Sequence, residues 1–145
     1  MSGRMLRRGW WRAFAVVLLL SAAAAAWAQD GRSVMVQRTA REWLAMADKD
    51  DGAGSWKAAG RKFQNTMSAG QWTQALVEVH LPIGKTLQRA VISTTYDKSF
   101  AGAPDGEYAH VEFRTSFEGR SDGHETVTLE LESDGVWRVI GYSIH

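Results

Sequence analysis

The 145-residue chain contains no cysteine at all. This absence excludes disulfides, thiolate nucleophiles, thiolate metal sites and a lipid-modified cysteine anchor. The sequence also lacks the motifs GxGxxG, GxxxxGK[ST] and HExxH. Their absence argues against the usual dinucleotide-binding enzymes, P-loop NTPases and zinc proteases. The fold must therefore be stabilised by noncovalent packing alone.

The first 28 residues have the pattern of a secretory signal peptide. Four arginines precede the apolar stretch AFAVVLLLSAAAAA, and the small-x-small sequence AWA ends at Ala28. This arrangement predicts cleavage between Ala28 and Gln29. The alternative is an uncleaved anchor helix, although the apolar run is shorter than the roughly 20 residues that a membrane span needs. We therefore expect residues 29–145 to form a periplasmic or secreted domain without membrane contact after cleavage.

Acidic residues outnumber basic ones in the predicted mature chain. The whole sequence has 17 basic and 16 acidic residues, but residues 1–28 hold four of the basic and none of the acidic ones. Residues 29–145 thus carry 13 basic and 16 acidic residues, a formal charge of −3 before histidines. Because the basic residues are also spread among the acidic ones, we predict no nucleic-acid partner.

Apolar residues in the first half of the mature chain have helical spacing. Residues 33–50 carry one apolar stripe, and Gly52 is expected to end this helix in the left-handed conformation. The segment SWKAAGRKFQNTM, residues 55–67, predicts a second helix. Residues 68–82 predict a third, since they begin with a serine and a glutamine at capping-box spacing and end near a proline.

Alternating and β-branched sequences replace the helical spacing after Gly84. Turn-forming sequences separate four predicted strands, TLQRAVISTTY, EYAHVEFRTSF, ETVTLEL and VWRVIGYSI. Helices followed by strands predict an α+β domain. We expect three N-terminal helices packed on one face of a bent, roll-like, four-stranded antiparallel sheet.

The hydrophobic pattern restricts how the second and third strands pair. Odd-numbered apolar residues point to one face on both strands, so odd positions must oppose odd positions. One such register opposes Glu112 to Glu130, and these two carboxylates would repel each other. The other opposes Glu112 to Thr128 and His110 to Glu130, with a tight loop near residues 119–121, and we predict this second register.

Several segments together resemble a bacterial family catalogued as a domain of unknown function (DUF4019). They are EWLAMADKDDGAGSWKAAGRKF, LPIGKTLQRAV, GAPDGEYAHVEFRTSF and ETVTLELESDGVWRVIGYSI, and with Trp72 they cover nearly the whole predicted mature chain. His80 departs from the family pattern, in which arginine stands two residues before the proline. The order of elements is also similar to the nuclear transport factor 2-like superfamily. That similarity implies a cavity between helices and sheet, and often a dimer formed through the open sheet face.

Aromatic side chains are candidates for the walls of such a cavity. Trp56 and Trp72 open the second and third predicted helices and are expected at its edge. Tyr96, Tyr108 and Tyr142 are candidate cavity residues and proton donors. At helical spacing the tryptophans equally fit an ordinary core, since aromatic side chains dominate core burial.

Glu125 is the most unusual carboxylate in the sequence. Strand alternation places it on the apolar face of the third strand. If buried, it needs a cationic partner such as Arg89 or Arg138, because an isolated buried charge is very costly. Two roles stay open for it: a structural ion pair, or a general base with a pKa raised by burial, a role that Asp97 could also serve.

The histidines invite a metal hypothesis that the spacing does not support. His110 and Glu112 share a strand face, which supplies two ligands, but no third ligand is evident in the sequence. A solvated polar face is the simpler interpretation, since antiparallel sheets often leave one face to water. We predict no metal and no cofactor.

These observations favour an exported, non-enzymatic module that binds a hydrophobic small molecule or a periplasmic protein. No residue is assigned as catalytic. The alternative is a small cofactor-free isomerase or dehydratase in which a cavity carboxylate acts as general base. A homodimer with a purely structural role is the third hypothesis.

Overall fold

The computed structural model describes the backbone of residues 10–145 and the side chains of residues 28, 29 and 31–145. The predicted signal peptide, except for Ala28, lies outside the residues whose side chains are described. The chain divides into two compact units, Met1–Val34 and Met35–His145, and all strands belong to the second. Within the described residues, no helix is both long and apolar enough to cross a membrane.

Four helices precede the sheet in the described chain, where the sequence predicted three. Their bounds are α1 (Trp10–Ala47), α2 (Gly52–Ala58), α3 (Arg61–Thr66) and α4 (Ala69–Ile83). The capping box predicted for the third helix is present at the start of α4, where the Ser68 and Gln71 side chains each accept from the other's backbone N–H. The prediction of one helix over residues 55–67 is wrong, because that segment forms the separate helices α2 and α3.

The break between α2 and α3 lies at Ala59 and Gly60, whose backbones are extended. The Gly60 N–H donates to the carbonyl of Val139 on the last strand at 2.8 Å. A Cβ atom on Gly60 would lie 3.1 Å from Ile140 Cγ2 and 3.2 Å from Arg138 Cβ. This close approach to the sheet favours glycine, and helical periodicity alone carries no signal of it.

The loop after α1 also differs from the prediction. The left-handed residue is Asp50, with φ of 56°, and not Gly52. Gly52 instead begins α2, which is capped by the Asp51 side chain. A Cβ atom on Gly52 would lie 2.6 Å from the Thr73 Cα in α4. Glycine is therefore needed here for close helix packing rather than for a turn.

The four strands form one antiparallel sheet in the order β1-β2-β3-β4, which confirms the predicted α+β class. Their bounds are β1 (Thr86–Asp97), β2 (Tyr108–Phe117), β3 (Arg120–Leu131) and β4 (Trp137–Ile144). Alternate residues of β2 and β3 are fully buried on the face that meets the helices, as the alternation predicted. The core cluster combines these residues with apolar residues of the helices, among them Val36, Trp43, Leu44, Phe63, Trp72 and Leu76.

The pairing of β2 with β3 differs from the predicted register. Each β2 residue faces the β3 residue two positions before the predicted one. Odd residues do oppose odd residues, but Glu112 faces Thr126 and His110 faces Thr128. The strands turn at residues 118–119, earlier than predicted. A bulge interrupts their pairing next to this turn, between Thr115 and Phe117.

Contacts outside the hairpin hold this early turn in place. The Glu118 N–H donates to the Lys85 carbonyl at 2.9 Å, and the Gly119 N–H donates to the Ile83 carbonyl at 2.7 Å. A Cβ atom on Gly119 would lie 2.9 Å from the Pro82 carbonyl oxygen. The end of α4 thus fixes the register, which the strand sequences alone could not specify.

Candidate functional site

Glu125 lies on the inner face of β3 and is completely buried. Each of its two carboxylate oxygens accepts two hydrogen bonds. Oε1 accepts from the Tyr142 hydroxyl at 2.6 Å and from Arg89 Nη2 at 3.1 Å. Oε2 accepts from Arg89 Nε at 2.6 Å and from the Thr115 hydroxyl. A carboxylate offers about four lone-pair positions, so these donors leave it saturated.

Arg89 on β1 joins this carboxylate to the end of α1. Its Nη1 and Nη2 donate to Asp48 Oδ2 and Oδ1 at 2.8 and 2.9 Å, in a bidentate pair. The Thr86 hydroxyl donates to Asp48 as well, at 3.0 Å. Burial alone would lower the pKa of the Arg89 guanidinium, but the hydrogen bonds and charges of Asp48 and Glu125 outweigh burial and raise that pKa. Arg89 is therefore the predicted cationic partner, and it stays charged.

We call the set Asp48, Arg89, Thr115, Glu125 and Tyr142 the Glu125 network. It connects α1 with β1, β2, β3 and β4. Arg138, the other predicted partner, lies elsewhere and pairs with Glu132 and Asp134. Since an unpaired buried charge is very costly, the network holds these elements in one arrangement.

Tyr142 links the network to the aromatic core. Burial, followed by the charge of Glu125, raises the pKa of its hydroxyl, which therefore stays protonated and donates. Its ring centroid lies 5.4 Å from that of Trp43 and 6.3 Å from that of Trp72, both edge-on. The indole N–H groups of these two tryptophans donate to the backbone carbonyl and the hydroxyl of Ser55, each at 2.9 Å. Trp72 is accordingly a core residue with a satisfied polar atom.

The other candidate aromatic residues lie apart from the Glu125 network. The indole of Trp56 donates to the Met67 carbonyl at 2.8 Å. Tyr96 packs edge-on against Trp137, with centroids 6.4 Å apart. Tyr108 is 1% exposed and donates to the Pro104 carbonyl at 2.7 Å. The structure therefore brings together Arg89, Glu125 and Tyr142, with Trp72 beside them, and leaves the remaining three dispersed.

The histidines form pairs with other polar residues. His110 contacts Thr128 Oγ1 at 3.1 Å through Nδ1 and Asp97 Oδ2 at 3.3 Å through Nε2. His80 Nδ1 lies 2.8 Å from Oδ1 of the left-handed Asp50. Within the part of the chain that the structure describes, no group of three or more acidic, histidine or cysteine residues is arranged to hold a metal ion.

Three surface clefts, of about 270, 410 and 300 Å³, are bordered mainly by polar residues. The first, which we call the α4 cleft, is lined by Asp48, Asp50, Val77, His80, Leu81, Gly84, Lys85 and Glu118. Two apolar side chains of α4, Val77 and Leu81, are 42% and 77% exposed there. Glu125 and Tyr142 border none of the three clefts.

Sequence reasoning missed two members of the Glu125 network. Thr115 is a polar residue on the buried face of β2, so the alternation that identified Glu125 could also have identified it. Asp48 lies in the acidic stretch DKDDG, where it resembled a simple helix terminus. Its role depends on α1 lying over β1, and local sequence gives no signal of that packing.

Comparisons with known proteins identify a family and a similar fold. The family model described as "Protein of unknown function (DUF4019)" matches residues 39–142. A solved 2.5 Å structure from Catenulispora acidiphila is similar, with a TM-score of 0.52 and 12% identity, and covers 82% of this chain and 94% of that chain. At this identity the likeness concerns the fold alone. No curated protein matches the chain.

Proposed function

This chain belongs to the family of proteins of unknown function DUF4019, which names no activity, and from its site we propose a non-enzymatic interaction module exported to the periplasm. The observation that carries the proposal is the saturation of Glu125. Its carboxylate is fully buried and accepts four hydrogen bonds, from Arg89, Thr115 and Tyr142. The residues best suited to chemistry are thus occupied in stabilising the fold.

The isomerase or dehydratase alternative needs a general base within hydrogen-bond reach of a substrate. Glu125 has no lone-pair position left for a substrate proton, and Arg89 holds it as the charged partner of an ion pair. Tyr142 donates to that same carboxylate, and burial raises the pKa of its hydroxyl, so it is a poor acid at neutral pH. The geometry therefore favours a structural role for the network.

Among surfaces, the α4 cleft fits a protein partner better than a hydrophobic small molecule. Pockets for small ligands are mostly apolar and enclose their ligand. The α4 cleft is open, and the charged groups of Asp50, Lys85 and Glu118 surround its apolar residues. Exposed apolar side chains with a polar rim are typical of protein interaction sites. The exposed Val77 and Leu81 are the proposed contact residues.

The proposed location depends on the N-terminal sequence. A basic segment, a short apolar stretch and a small-x-small site favour export, and a chain without cysteine does not need oxidative folding.

Site-specific photocrosslinking tests the interaction proposal. A photoreactive residue replaces Leu81 in the α4 cleft, and a matched replacement is made at Val136, which is 45% exposed in the loop before β4. We expect one discrete protein adduct from position 81, none from position 136, and recovery of both proteins from the periplasm. Equal labelling at both positions, or none at position 81, would contradict the proposal.

Native mass spectrometry of the same purified protein tests the competing hypotheses. We expect the mass of the protein chain without any bound small molecule. A small molecule that is lost on mild denaturation would instead favour a ligand-binding function. A ligand-dependent reaction that Glu125→Gln abolishes in a folded protein would favour the enzyme.

A further inference from the structure

One edge of the sheet is open along its whole length. β1 pairs with β2, and no other strand of the described chain pairs with its far side. None of the 12 residues of β1 is buried. Leu87 and Ile92 are 63% and 50% exposed on this strand. An exposed strand edge is a template for pairing with another chain.

Strand β1 has some of the features that usually protect a strand edge and lacks others. β1 contains no proline and no lysine, and its single basic residue, Arg89, turns inward to Glu125 and Asp48. Two bulges, at Leu87 and Ile92, interrupt the pairing with β2. Bulges hinder the addition of a regular strand, so a partner strand has to accommodate both of them.

A second copy of β1 accommodates them. We infer that two copies of this chain form a twofold dimer in which their β1 strands pair antiparallel about Val91. One bulge lies on each side of Val91, at Leu87 and at Ile92. If the bulge residues are left out, the number of residues between Val91 and Lys85 equals the number between Val91 and Asp97. If the partner strand lacked this bulge pattern, inward-facing residues would lie opposite outward-facing residues beyond the first bulge.

Side-chain faces agree with this register. The residues of β1 opposite the buried face of β2 are Thr86, Arg89, Val91, Thr94 and Tyr96. In the proposed pairing each of them faces a member of the same set in the other copy, and outward residues face outward residues. The cross-strand pairs are Val91 with Val91, Ala90 with Ser93, Arg89 with Thr94, Gln88 with Thr95, Thr86 with Tyr96 and Lys85 with Asp97.

Charge and apolar surface agree with it as well. Lys85 and Asp97 are exposed, and each faces its opposite charge in the other copy, so the contact occurs twice. Arg89 faces threonine, so no like charges oppose each other. Ile92 lies beside the symmetry axis against Ala90 of the other copy, where its exposed surface is buried. The product is a continuous eight-stranded sheet, which is within the usual range of sheet sizes. Its interface has the self-complementarity that twofold symmetry requires.

Sedimentation velocity on protein purified from cells that express the full chain tests the dimer. The variants are Lys85→Glu, Asp97→Lys, the double charge swap, and Ile92→Glu. Lys57→Glu on the exposed side of α2 is the matched control for a charge reversal. Circular dichroism checks that each variant is folded. The experiment does not depend on the proposed partner of the α4 cleft, because only the purified chain is present.

We expect a wild-type dimer at micromolar concentration that the control leaves unchanged. Each single charge reversal should raise the dissociation constant roughly tenfold, and the double swap should bring it back toward the wild-type value. Ile92→Glu should give a monomer. A wild-type monomer throughout, or a dimer indifferent to Ile92→Glu, overturns the inference. A double swap that is no tighter than the single variants overturns the register.

Discussion

Removal of the Arg89 guanidinium gives the sharpest test of the Glu125 network. In Arg89→Met, Glu125 keeps its hydrogen bonds from Thr115 and Tyr142 but loses Arg89, its one cationic partner among the described residues. Breaking a buried ion pair by removing one partner costs about 3–5 kcal/mol. Asp48 is 24% exposed and can be hydrated, whereas Glu125 is fully buried. We therefore expect a loss of about 3 kcal/mol at neutral pH, caused mainly by Glu125.

Urea unfolding followed by tryptophan fluorescence measures this loss, because Trp43 and Trp72 lie against Tyr142 in the core. The matched control is Arg138→Met, which removes an arginine from ion pairs at the protein surface. Surface pairs contribute at most about 1 kcal/mol. An Arg89→Met loss no larger than that of the control would refute the reasoning.

One further substitution distinguishes an unpaired charge from lost packing. The second substitution Glu125→Gln, made in the Arg89→Met background, should recover about 2 kcal/mol, because the neutral amide removes the unpaired charge. A loss that Glu125→Gln does not reduce would indicate packing alone.

Three other predictions concern single positions. Tyr142→Phe should cost about 1.5–3 kcal/mol by removing a hydrogen bond to a buried charge, as measured by urea unfolding. The pKa of Tyr142 is raised in the folded state, so stability should also fall above about pH 10, where an unfolded tyrosine ionises. The expected decline is about 1.4 kcal/mol per pH unit. The phenylalanine variant should lack this share of the decline. Gly52→Ala should destabilise the protein by about 1–3 kcal/mol because its Cβ would meet Thr73. Gly70→Ala, in the open first turn of α4, should be neutral or stabilise the protein by up to about 1 kcal/mol. Equal effects of the two substitutions on thermal melting would count against this packing argument. Ser68→Ala should cost about 1 kcal/mol through loss of the α4 capping box, and an unchanged melting temperature would contradict that role.

The sequence predicted the type of each element well because hydrophobic periodicity is a local property. It also identified Glu125 as a buried carboxylate with Arg89 as one of two partners, since strand alternation and the cost of a buried charge are general rules. The choice between Arg89 and Arg138 was beyond it. That choice depends on how the strands are arranged in the sheet and on which arginine side chain can reach Glu125.

The errors have a common physical cause in contacts between distant segments. Residues 55–67 were predicted as one helix, but Gly60 breaks it by donating to Val139 on β4. The β2–β3 register was wrong because the hairpin tip at residues 118–119 binds the end of α4. Asp48 was missed because its partner Arg89 lies 41 residues later in the chain, beyond three helices. Periodicity within a segment cannot report any of these contacts.

The attachment of the hairpin tip to α4 has a consequence for the order in which the chain folds. Two-residue hairpin loops usually adopt turns with positive φ that match the twist of the strands, yet positive φ occurs at neither Glu118 nor Gly119. The tip is shaped instead by Ile83 and Lys85, roughly 35 residues earlier in the chain. The nucleus should therefore contain the C-terminus of α4, and the β2–β3 hairpin should form on it as a template rather than ahead of it.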